Sequence, residues 1–84
     1  MRRTLGNYKQ KGEVIPVLIT NLKTKDYYWA KVKIINVPDR ANNNYEVLIT
    51  AVRPGEGDLH KGMLGKTIEL DKQTINQNVV WLGE

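Results

Sequence analysis

The alternation from Tyr27 to Val37 restricts this chain most: Tyr28, Ala30, Val32 and Ile34 fall on one side, Tyr27, Trp29, Lys31 and Lys33 on the other. A period of two marks a strand with one face in a core and one face outward. Ile35 continues the second side. Nowhere do apolar residues recur at 3.6-residue spacing over three turns, so little or no helix is expected.

Four further strands follow from the same reading. Glu13 to Leu22 carries Val14, Ile15, Val17, Leu18 and Ile19, a β-branched run of strand length. Pro16 has no N–H for a ladder, so this strand lies at an edge, is bulged there, or begins just after it. Tyr45 to Arg53 alternates Tyr45, Val47, Ile49 and Ala51, assigned to the core, against Glu46, Leu48, Thr50 and Val52. Lys66 to Asp71 is a fourth strand and Asn78 to Leu82 a fifth, with one short turn over residues 72–77 between them. The asparagines of residues 38–44 suit a hairpin loop. Four glycines in residues 54–65 rule out a stable helix and leave a long connection, with Leu59, Met63 and Leu64 available to tuck it down.

Five short strands define an all-β fold, a small partly open barrel of the SH3-like kind. An OB-fold is the alternative, set second because OB barrels usually carry a helix between strands three and four, where this chain is rich in glycine. Eighty-four residues allow a single domain with little room for an enclosed substrate cavity. Without cysteine, neither disulfides nor a zinc ribbon can supplement the core. Residues 1–12 lack an apolar periodicity and read as a flexible basic arm, leaving residues 13–84 as the barrel. With no signal-peptide stretch and no apolar run of membrane-spanning length, a soluble cytoplasmic protein is expected.

Charge is divided unevenly. Residues 1–33 hold eight basic and two acidic side chains, whereas residues 34–84 hold five and seven, so the net +4 originates in the first part. This asymmetry favours a polyanionic or acidic partner. The clearest candidate surface is Tyr27, Trp29, Lys31 and Lys33, where aromatic rings offer stacking to unpaired bases and lysines neutralise phosphates. The competing reading packs Tyr27 and Trp29 beneath the arm or the glycine-rich loop and leaves the lysines solvated. Arg2, Arg3, Lys9 and Lys11 form a second basic group, either lying along phosphates or simply charging a terminus.

Catalytic readings find little support. Gly65-Lys66-Thr67 ends like a phosphate loop, but His60 occupies the required upstream glycine position and a strand follows instead of a helix. The pairs Glu56/Asp58 and Glu69/Asp71 lie in polar surroundings that shift no carboxyl toward general acid or base work. His60 has no cysteine or second histidine with which to share a metal, and the chain contains no serine. Trp81, among Val79, Val80 and Leu82, reads as a core or closing residue. No cofactor, metal or enzymatic activity is expected. The expected function is a binding domain for single-stranded nucleic acid; the alternative is a protein-interaction module, an accessory subunit or inhibitor of a larger assembly, including a homodimer through exposed edge strands.

Overall fold

The computed structural model describes residues 9–83. Its elements are β1 (Val14–Asn21), β2 (Tyr27–Asn36), β3 (Tyr45–Glu56), β4 (Thr67–Leu70), α1 (Lys72–Gln77) and β5 (Val79–Leu82). They form one curled five-stranded sheet in the order β4-β3-β2-β1-β5. The first four strands make an antiparallel meander, and β5 returns to run parallel beside β1. The fold is therefore all-β and barrel-like with one side left open, as the alternation implies. The link from β3 to β4 is a succession of turns, and the short helix lies between β4 and β5.

The inner face follows from the period of two. Ile15, Val17 and Ile19 of β1 meet Tyr28, Ala30, Val32 and Ile34 of β2 and Tyr45, Val47 and Ile49 of β3, all buried. Burial pushes the Tyr28 phenol pKa up. Leu70 and Ile75 complete this core. Each buried valine, leucine or isoleucine among them contributes about 1.5–3 kcal/mol, so this single cluster carries most of the stability.

Residues 72–77 form a helix instead of the turn expected. Asp71 caps it by accepting the Thr74 N–H at 2.7 Å. Ile75, the only apolar residue of Lys72–Gln77, is fully buried, and this one anchor holds the helix against the sheet. Six residues are too few for helical periodicity to register, which is why the sequence pattern misses it.

Asn78 ends the helix with φ 60°, its N–H donating to the Thr74 carbonyl at 2.8 Å. Its amide Nδ2 donates to the Pro16 carbonyl at 2.7 Å, and its own carbonyl accepts the Leu18 N–H at 2.9 Å. Both backbone contacts leave β1 on the β5 side. Since β5 pairs only from Leu18 onward, the N–H that Pro16 lacks would have pointed where no strand lies. The proline thus occupies a locally free edge.

Two other readings need adjustment, those of the end of β3 and of Leu64. β3 runs on through Pro54 and Gly55 to Glu56, in a stretch that β2 alone flanks. Leu59 and Met63 pack against the core, but Leu64 is exposed. Lys9 to Glu13 is tied to the sheet: the Lys9 N–H donates to the Tyr45 hydroxyl at 3.3 Å and the Gly12 N–H to the Ile34 carbonyl at 2.7 Å.

Candidate functional site

Pairing register determines which side chains share the outer face. Trp29 lies between Arg53 of β3 and Leu18 of β1, and Leu18 in turn faces Val79 of β5. One row over, Lys31 lies between Ala51 and Pro16. On the other side, Tyr27 lies between Glu56 and Thr20, with Trp81 beyond Thr20. Lys33 pairs with Val14.

Arg53 reaches this face through a bulge. Val32 pairs with Ile49 and Lys31 with Ala51, so Thr50 is an extra residue on β3, and its hydroxyl donates to the Lys31 carbonyl at 3.2 Å. The phase of the strand reverses there. Ala51, expected in the core, is exposed; Val52, expected outside, packs against the core; and Arg53 faces outward. Strict alternation from Ile49 would have driven Arg53 inward, and the cost of burying an unpaired guanidinium was a signal in the sequence that the alternation must break.

Pro16, Trp29, Lys31, Ala51 and Arg53, with the sheet at Ala30 and Val52 beneath, line an open groove of about 230 Å³. Trp29 retains 46% of its surface to solvent, and Lys31, Lys33 and Arg53 are exposed. Among the described residues the one ion pair is Lys61–Asp58, so these three cations have no carboxylate partner there. The groove has an apolar floor, an indole on one wall and positive charge at its rim.

Tyr27 differs from its neighbours. It is half-buried against Gly55, where a second bulge brings the β3 backbone over its ring; a Cβ on Gly55 would land in the ring and 2.7 Å from the Tyr27 carbonyl oxygen. The packing expected of both aromatics therefore applies to Tyr27 and not to Trp29. Of the basic terminal group, Lys11 is exposed in a turn beside the Lys33 end of β2 and Lys9 lies at Tyr45. Arg2 and Arg3 lie outside the described residues.

The outer face is polarised. Across β3 and β4, Glu46 pairs directly with Glu69, a like-charge juxtaposition relieved by amide contacts from Asn36 to Glu46 at 2.6 Å and from Asn44 to Glu69 at 3.5 Å. β1 and β5 contain no carboxylate. A second, larger concavity, about 780 Å³ and mostly polar, opens between β4 and the α1–β5 segment, where Gln73, Gln77, Glu69 and Asp71 contribute to its lining.

Among the described residues no three His, Asp or Glu side chains gather as a metal site, and no helix is long and apolar enough to cross a membrane. Fold and face together define a small all-β open-barrel domain with an aromatic and basic groove on its outer sheet surface. Comparison with protein families, curated proteins and solved structures finds no match.

Proposed function

We propose that this domain is a non-enzymatic binding module for single-stranded nucleic acid, which lies across the outer face of β1, β2 and β3. The observation that carries the reading is the exposed Trp29 indole at the wall of an apolar groove, with Lys31 and Arg53 at the rim and, among the described residues, no carboxylate paired to either. A base stacked on Trp29 gains about 1–3 kcal/mol whatever its identity, and the adjacent cations neutralise phosphates. Lys33 and Lys11 extend the positive strip along β2.

Titration with oligothymidylate, followed by fluorescence anisotropy of a labelled strand at several salt concentrations, tests this. With Lys31, Lys33 and Arg53 engaged, log K against log salt should fall with a slope of about −2, and each single alanine substitution should remove about 0.7 from it. Affinity indifferent to salt and to these substitutions would dismiss the reading.

A second reading has its own support. Among the described residues neither β4 nor β5 has a strand on its outer side, and β5 exposes Trp81 and Leu82 at that rim. Strand addition by a protein partner or a second copy would use this edge. Sedimentation equilibrium over a hundredfold range of protein concentration separates a self-pairing edge from a monomer.

A further inference from the structure

The larger concavity, about 780 Å³ between β4 and the α1–β5 segment, shares no lining residue with the Trp29 groove. Its size is within the range of about 300–1,000 Å³ usual for small-ligand sites. The way α1 docks decides part of its lining. Ile75 is buried in the core, so Gln73 and Gln77, four residues apart on the opposite side of the helix, are exposed in the concavity. Among the described residues no hydrogen bond engages the side-chain amide of either. Asn44 adds a third amide, which donates to Glu69 at 3.5 Å, and Asp71 accepts the Thr74 N–H. Trp81, half in solvent, supplies an aromatic surface beside them.

Three classes of ligand suit this lining poorly. An anion meets Glu69 and Asp71 with no lysine or arginine in the lining to offset them. An apolar body leaves amides and carboxylates without partners. A lysine or arginine head satisfies the carboxylates but, being only a donor, offers nothing to the amide N–H groups. An uncharged hydroxyl both donates and accepts, so it serves amide and carboxylate alike. Sugar rings carry hydroxyls around the rim and C–H bonds on their faces, and such a face matches an indole in shape and polarity. We propose that this concavity is a saccharide site, in which a pyranose ring lies on Trp81 and exchanges hydrogen bonds with Gln73, Gln77 and Asn44 while donating to Glu69. One helical turn sets the Cβ atoms of Gln73 and Gln77 about 5–6 Å apart, which lets both amides reach hydroxyls of the same ring. The site stands independently of the nucleic-acid reading, since no side chain serves both.

The protein contains two tryptophans, so Trp29→Phe leaves Trp81 as the sole indole and its emission reports this concavity alone. Maltotriose, cellotriose and chitotriose are titrated to about 10 mM, a millimolar dissociation constant being the weak end of specific binding. Trp81 emission is followed together with the indole N–H resonance of Trp81 and the side-chain amide resonances of Gln73 and Gln77. Trilysine and a thymidine trinucleotide serve as the charged counterparts, and circular dichroism of each variant checks folding. The expected result is a saturable response of all three residues to at least one trisaccharide, insensitive to salt. Binding of that sugar should be about tenfold weaker in Trp81→Ala and near natural in Trp81→Phe. It should be about fivefold weaker in Gln77→Ala and unchanged in Lys31→Ala. No response to any of the three sugars would overturn the proposal, as would sugar binding of natural strength in Trp81→Ala. A response to trilysine or to the trinucleotide alone would overturn it in favour of a charged ligand.

Discussion

At the residue scale, two positions decide what the outer face presents. Arg53 is outward only because Thr50 is an extra residue, and Tyr27 is held down only because residue 55 has no side chain. Gly55→Ala should therefore destabilise the domain by about 1–3 kcal/mol in urea unfolding, the range for forcing added volume into a packed site. In a Tyr27→Ala background the same substitution should cost less, since the ring contact is gone and the backbone contact alone remains. Equal costs in the two backgrounds would show that the ring is not what the new methyl meets.

At the element scale, the short helix is the part least visible in the sequence and the part most dependent on a single charge. The hydrogen bond from the Thr74 backbone N–H, supported by the Thr74 hydroxyl, holds the Asp71 carboxyl below the ordinary carboxylate range. Stability from this cap is full above the pKa of the unfolded chain and drains away as pH falls through the lowered folded value. Asp71→Asn, which still caps but does not titrate, should keep the neutral-pH stability and flatten its decline below about pH 4. Asp71→Ala should lose about 1 kcal/mol at neutral pH. Thermal melts between pH 2.5 and 7 check both; an unchanged acid limb in the asparagine variant would remove Asp71 as its source. The strands were far more legible: β2 and the first half of β3 follow from alternation because each covers several repeats of the period. The bulges and the pairing of β5 were hidden, since both arise from relations between strands. Trp81, read as a core or closing residue from its apolar neighbours, is not in the core: it keeps half of its surface to solvent and lines the concavity between β4 and the α1–β5 segment.

At the scale of the whole molecule, β1 to β4 and the helix share one cluster of buried side chains, to which α1 contributes Ile75 and β4 contributes Leu70, and β5 packs Val80 against it. No element has a separate core on which to persist. Unfolding by urea should therefore be one cooperative transition, with tryptophan fluorescence, reporting the outer face, coinciding with far-ultraviolet circular dichroism, reporting the sheet. Midpoints that separate would divide the sheet into independent parts. The same frame groups Lys31, Lys33 and Arg53 on one outer face, with Ala51 and Leu48 rather than carboxylates directly opposite the two lysines on β3.

The additional residue at Thr50 gives β3 two trades in one length of chain, interior construction before it and surface chemistry after it. What the distal stretch offers to solvent is thus governed by parity, the odd or even number of residues upstream, as much as by residue identity. Lengthening or shortening the strand by one near that point would exchange Arg53 for Val52 at the surface without altering a single letter of either.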